Sequence, residues 1–222
     1  MSRRAYKFLF LTDSAANPRS FPPSMLVNLE ETYPYLIRAA FPESTFYQLS
    51  FGNIATEDLV SQGIAYLTHW KPDFIIVQSG LADCRPEAFT EAEKAVINRL
   101  PNSLFGRLKK HLYHPAIIRR RQVHRVSPQS FRKTVKKLKM VFSTSKIFWL
   151  EICAGADYEK ERPGVRRRMA EYNKILEEVY GDALIRVQDF MLQINGFNRD
   201  NIHWIANAHR AAADMLIGRI CG

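Results

Sequence analysis

An open parallel β-sheet covered by helices on both faces is the fold class that this sequence predicts. Five short runs rich in β-branched and aromatic residues alternate with helical patterns, the form that repeated βα units take when their sheet is buried. The length agrees, because 222 residues suit one compact domain over 1–222. Hydrophobic residues at 46% and charged residues at 24% are ordinary globular proportions and exclude a disordered or fibrous chain.

The predicted strands are Lys7 to Thr12 (KFLFLT), Thr45 to Ser50 (TFYQLS), Asp73 to Ser79 (DFIIVQS), Lys146 to Ile152 (KIFWLEI) and Ala183 to Gln188 (ALIRVQ). Before the second strand, Pro34 suits the first turn of a helix ending near Ala40. Between strands two and three, Leu59, Val60, Gly63, Ile64 and Leu67 recur at helical spacing, with Thr56 as the expected cap. Residues 85–127 are long for a connection and carry Pro101, Gly106 and Pro115, so they read as an insertion. It is expected to hold one helix from Glu87 to Asn98, then a less regular basic part, before a helix opening at Ser127 and Pro128. Near the end, Trp204, Ala208, Ala211, Ala212, Met215 and Leu216 form an inward stripe on a closing helix.

No apolar run approaches the roughly 18 to 20 residues of a membrane span, and Phe8 to Leu11 is too short for a signal-peptide core. The expectation is a cytoplasmic protein with no transmembrane segment. Cys84, Cys153 and Cys221 are scattered and odd in number, which argues for reduced thiols rather than disulfides or zinc. His69, His111, His114, His124 and His209 lack metal-type spacing, so neither metal nor cofactor is expected.

The formal charge of +10 is local. Residues 94–150 hold 15 Lys and Arg and no acid, leaving 17 basic against 22 acidic residues elsewhere. Arg119, Arg120 and Arg121 follow two isoleucines, and Arg132, Lys133, Lys136, Lys137 and Lys139 line one side of a helix. Such a stretch is either a solvated face or a surface for an anionic ligand. Nucleic acid is not expected, because no RNA-binding aromatic motif or zinc-finger spacing accompanies it.

In an open parallel sheet, ligands bind beyond the carboxyl ends of the strands. Strand one runs into Asp13-Ser14, strand two into Gly52-Asn53, strand three into Gly80, Ala82 and Asp83, and Asp200-Asn201-Ile202-His203 precedes the last helix. An Asp and a His three residues apart on a turn can set the carboxylate against one imidazole nitrogen, leaving the other to take a hydroxyl proton. Ser14 is the natural hydroxyl, and Gly52 leaves room for a backbone N–H to approach.

These blocks resemble the SGNH (GDSL-type) hydrolases over nearly the whole chain. FLFLTDSAANPR resembles the block around the nucleophile, LSFGNIATEDL the second with its glycine, IIVQSGLADC the third, and DNIHWIANAHRAAADML the last with its DxxH. The resemblance implies a flavodoxin-like three-layer α/β/α sandwich on a five-stranded parallel sheet. It implies Ser14 as nucleophile, His203 as general base and acid, and Asp200 as the group orienting His203. Ser14 and Gly52 would supply the N–H groups of an oxyanion hole.

Two positions depart from the family pattern. Thr12 replaces a glycine before Asp-Ser, and Ala82 replaces an asparagine whose amide donates to the oxyanion. Loss of one such donor costs about 100- to 1,000-fold in turnover. Asn53 and Gln78 are candidate substitutes; Asp83 is expected to hold its loop, and Cys84 to pack in the interior.

The expected activity is a serine esterase removing small O-acyl groups, acetyl among them, from a carbohydrate or similar polar substrate. One alternative is an O-acyltransferase in polysaccharide modification. The other is a catalytically weak binding protein that meets anionic partners through residues 94–150.

Overall fold

Alternation along the central strands sorts the interior into two cores, one on each face of the sheet. The computed structural model describes residues 5–99 and 111–222. Its sheet contains β1 (Lys7–Asp13), β2 (Thr45–Phe51), β3 (Phe74–Gln78), β4 (Lys146–Leu150) and β5 (Leu184–Ile185), all parallel, in the order β2-β1-β3-β4-β5. Leu9, Leu11, Ile75, Val77, Ile147 and Trp149 face one core, whereas Phe8, Phe10, Phe74, Ile76, Phe148 and Leu150 face the other.

Among the described residues the helices, in chain order, are α1 (Tyr33–Ala40), α2 (Thr56–Leu67), α3 (Leu81–Cys84), α4 (Glu91–Arg99), α5 (Pro115–Arg121), α6 (Pro128–Val141), α7 (Tyr158–Glu161), α8 (Val165–Tyr180), α9 (Gln188–Gln193) and α10 (Ala206–Cys221). The first core is closed by α2, α6 and α8 through residues such as Leu59, Val135 and Leu176. The second is closed by α1 and α10 through Tyr33, Ile37, Ala212 and Leu216. Three layers result. Since the chain leaves β1 for β2 on one side and returns to β3 on the other, a crevice opens beyond the ends of β1 and β3.

Several local expectations are corrected. β5 spans two residues rather than six, because a 3-10 turn at Gly181–Ala183 precedes it and Gln188 already begins α9. Beyond β5 the Glu151 carboxylate accepts from the N–H groups of Val187 (2.9 Å) and Gln188 (3.0 Å) in place of a strand neighbour. Thr56 is the first residue of α2 and not its cap, with Ala55 preceding it. The closing helix begins at Ala206, so Trp204 packs from the loop before it; buried His209 and Ala213 join the stripe, where Ala211 and Met215 are only half-buried.

The helix expected from Glu87 starts at Glu91 instead. Thr90 and Glu93 form a reciprocal capping box there: the Glu93 carboxylate accepts from Thr90 N–H (2.8 Å), and Thr90 Oγ1 accepts from Glu93 N–H (3.3 Å). Glu87 pairs in extended form with Val123 through two backbone hydrogen bonds of 3.0 Å, closing the base of the 85–127 segment. Pro101 and Gly106 lie outside the described residues.

Buried Glu87 also gathers part of the basic charge, with Arg85 at 2.8 Å, Arg162 at 3.3 Å and Lys94 at 3.7 Å. Removing the carboxylate strands Arg85 and Arg162, which keep only about a fifth to a quarter of their side-chain surface in water, while Lys94 retains Glu91 at 2.9 Å. Glu87→Ala should therefore destabilise the protein by about 3 kcal/mol, measured by urea unfolding, and a change below about 1 kcal/mol would contradict this.

The remaining basic residues divide. Arg121 pairs with Glu93 (2.7 Å) over the Phe89 ring, Arg132 pairs with Glu178, and Lys139 donates to the Val179 carbonyl (2.5 Å). Arg119, Arg120, Lys133, Lys136 and Lys137 are exposed. Among the described residues no helix is long and apolar enough to cross a membrane.

Candidate active site

β1 ends at Asp13, whose register partner is Phe51, so Ser14 and Gly52 leave adjacent strands side by side. Ser14 opens a 3-10 turn, Ser14–Ala16, and the Asp13 carboxylate caps it by accepting from Ala15 N–H at 2.9 Å. Burial pushes the Asp13 carboxyl up to about 6, against the lowering effect of that hydrogen bond and of nearby His203. Above that pH a negative charge stands beside the imidazole.

His203 comes from the other end of the chain, on a loop that closes on itself. Asn198 N–H donates to the His203 carbonyl (2.7 Å), Asn201 N–H to the Asn198 carbonyl (2.9 Å), and Asn198 Nδ2 to the Trp204 carbonyl (3.1 Å). Within this loop Asp200 Oδ1 accepts from the backbone N–H groups of Ile202 (3.1 Å) and His203 (3.0 Å). Its other oxygen, Oδ2, lies 2.5 Å from His203 Nδ1. Burial acts against ionised Asp200, but the hydrogen bonds from His203 and Ile202 outweigh it and hold the carboxyl down at about 2.

A carboxylate can only accept, so Nδ1 carries the imidazole proton and Nε2 presents its lone pair. That lone pair is 2.9 Å from Ser14 Oγ. Ser14, His203 and Asp200 thus form one hydrogen-bonded chain at the crevice beyond β1, which can draw the proton from the Ser14 hydroxyl and leave a nucleophilic oxygen.

Gly155, after β4, sets the height of the histidine loop: its N–H donates to the Asn201 carbonyl at 2.8 Å. A Cβ at Gly155 would sit 2.4 Å from Asn201 Oδ1 and 3.1 Å from its Cα, so no side chain fits there without moving the loop.

A Cβ at Gly52 would meet nothing within 4 Å, so the open space beside its N–H is available to a ligand. Asn53 has a left-handed backbone (φ 54°), and its side-chain oxygen accepts from Arg85 (3.0 Å) and Arg125 (3.1 Å). Ala82 is buried in α3, and its methyl cannot donate. Gln78 is buried at the end of β3, its Oε1 without a partner, beside a cavity of about 20 Å³ that Asp13, Ser79, Cys153 and Trp204 also line.

Asp83 holds its loop. Its carboxylate accepts from Thr56 N–H (3.0 and 3.1 Å) and Thr56 Oγ1 (2.8 Å), tying α3 to the start of α2. Burial pushes it up to about 6 despite those bonds. Cys84 is fully buried, and burial pushes its thiol well up, which removes it as a nucleophile. His209 is buried against Tyr33 and Trp204; its Nδ1 accepts from Tyr33 N–H (3.3 Å), and burial lowers it to about 4.

Arg19 is the site residue that sequence reasoning missed. Its Nη2 lies against His203 Nε2, the atom that also faces Ser14. The backbone of Arg19 is pinned by two hydrogen bonds with Val27 (2.8 and 2.9 Å). The one available signal was a single cation, five residues after Ser14, in an otherwise uncharged run from Ser14 to Asn28.

No protein-family model and no curated protein matches the sequence. Solved structures do resemble the fold. A lipase/acylhydrolase from Enterococcus faecalis superposes with a TM-score of 0.65 at 13% identity, over 97% of this chain and 95% of that one. An acetylxylan esterase from Geobacillus stearothermophilus gives 0.60 at 17% identity, over 97% and 94%. The psychrotrophic esterase EstA from Pseudoalteromonas sp. gives 0.55 at 15% identity, over 97% and 96%.

Proposed function

We propose that this chain, which has the three-layer α/β/α fold of the SGNH-type hydrolases, is a serine ester hydrolase acting on small O-acyl esters of a carbohydrate or similar polar molecule. The observation that carries the reading is the hydrogen-bonded series from Ser14 Oγ through His203 to Asp200, at 2.9 and 2.5 Å. The names of the similar structures, a lipase/acylhydrolase and acetylxylan esterases, support the choice of ester and of a sugar-like substrate.

In this mechanism His203 Nε2 takes the Ser14 proton as Oγ bonds to the ester carbonyl carbon. The carbonyl oxygen becomes an oxyanion, held by the N–H groups of Ser14 and Gly52. Protonated His203 then gives its proton to the departing alcohol oxygen as the ester C–O bond breaks, leaving an acyl-Ser14. Water, deprotonated by His203, attacks the acyl carbon; the carboxylic acid departs and the proton returns to Ser14. Asp200 stays ionised throughout and stabilises each imidazolium. With Ala82 unable to donate, the hole has two backbone donors in this mechanism, and turnover is expected to be slow for the fold.

The test is a fluorophosphonate probe, with the adduct mapped by mass spectrometry and Ser14→Ala as control. Labelling confined to Ser14, and absent from the variant, is the expected result. A folded protein that takes up no probe and turns over no short acyl ester would overturn the reading. Should the labelled enzyme pass its acyl group to a sugar hydroxyl faster than to water, the hydrolase would be a transferase.

A further inference from the structure

We propose that Arg19 selects esters carrying an anionic group, a carboxylate or a phosphate, beside the scissile bond, and holds the site in check against neutral ones. The inference rests on the serine-hydrolase reading and names its substrate class.

With Asp200 holding the proton on Nδ1, Nε2 has one lone pair, and two donors meet it: Ser14 Oγ at 2.9 Å and the Arg19 guanidinium. Both cannot use it well. While Arg19 donates there, the Ser14 proton has no competent acceptor. The guanidinium must therefore leave before the nucleophile is activated.

No acidic side chain among the described residues pairs with Arg19. Of the two carboxylates of the site, Asp200 is taken up by His203 and its own loop, and Asp13, which caps Ala15 N–H through Oδ1, is not paired with Arg19. The backbone is fixed at Val27 and the side chain is half-buried, so the guanidinium can swing from a fixed anchor towards the crevice. A carboxylate or phosphate offers it a charge-assisted, two-pronged partner, stronger than a neutral imidazole nitrogen. An anionic substrate would thus bind and release Nε2 in the same movement, whereas a neutral ester gives the guanidinium no reason to move.

The test compares kcat/KM for three phenyl acetates, 4-acetoxybenzamide, 4-acetoxybenzoate and 4-acetoxyphenyl phosphate, in the wild type, Arg19→Gln and Arg19→Lys. Taking each ester as a ratio of variant to wild type cancels its intrinsic reactivity. Arg19→Gln should lower the ratio for an anionic ester by about 10-fold or more, as expected on losing a hydrogen bond between charged groups, and raise it for the benzamide. Arg19→Lys should fall between. Sensitivity of the benzoate alone or the phosphate alone would identify the anion.

Equal ratios for all three esters would overturn the proposal, and a uniform fall would make Arg19 a general aid to the transition state. A second readout avoids turnover: 4-hydroxybenzoate or 4-hydroxyphenyl phosphate should change the rate of probe labelling of Ser14, slower where it blocks the probe and faster where it only draws Arg19 away, in the wild type and not in Arg19→Gln. If Ser14 labels but neither readout depends on Arg19, this inference alone falls. If Ser14 labels in neither the wild type nor Arg19→Gln, the hydrolase reading falls and takes this one with it.

Discussion

Ser14→Ala should reduce turnover of short acyl esters by about 10⁴-fold or more while leaving the protein folded. Losing the nucleophile of an intact triad costs on the order of 10⁶-fold, but a site already short of one oxyanion donor starts lower, which compresses the measurable fall. The hydroxyl's side-chain partner is His203, and the Ala15 N–H that begins the turn is capped by Asp13, not by Ser14. Stability should then change by no more than about 1 kcal/mol. Turnover that survives within tenfold in a folded variant would remove Ser14 from the chemistry.

Asp200→Asn should cost roughly 10³- to 10⁴-fold, for a reason that the loop makes unusually definite. Two backbone N–H groups donate to Oδ1, so an asparagine must keep its carbonyl oxygen there. Its amide nitrogen then faces His203 Nδ1 and donates to it. The imidazole is forced into the tautomer with the proton on Nε2, and Ser14 meets an N–H where it needs a lone pair. The structure would be preserved and the base lost.

The same variant has a signature in stability against pH. Asp200 is held at about 2, below its ordinary value of 3.8, so its share of stability is present above about pH 4 and lost as pH falls towards 2. Asparagine does not titrate there. The stability gap between wild type and variant should close over that window, as read by urea unfolding; a gap independent of pH would contradict the Asp200 environment described here.

How much of this was legible in the sequence depends on the range of the interaction. β1 and β3 announced themselves, because strands buried on both faces are nearly continuous apolar runs such as FLFL and FIIV. The Ser14 and Gly52 positions followed from lying just beyond the ends of β1 and β2, where this topology opens its crevice, and Asp200-His203 from an Asp and a His three residues apart before the last helix. Features that depend on a side chain reaching a distant backbone were not visible. Asp83 governs the start of α2 from 27 residues away, and the Glu151 carboxylate takes over from β5 at Val187 and Gln188. Neither leaves a periodic trace. Arg19 was hidden likewise, since what puts its guanidinium on His203 is a pairing with Val27, not a spacing from Ser14.

The histidine loop brings Asp200 and His203 together over three residues, whereas His203 meets Ser14 across 189. The two contacts belong to different regimes of the folding reaction, one local and quickly closed, the other dependent on the whole sheet. The tautomer of His203 is thus set by Asp200 within its own loop, which Gly155 also holds, whereas its partnership with Ser14 depends on the whole sheet. Under mild denaturant the second should dissolve while the first persists, so the chain would keep a prepared base after losing anything for it to act upon. The Nδ1 proton resonance, followed beside the rate of probe uptake, would separate the two losses in time.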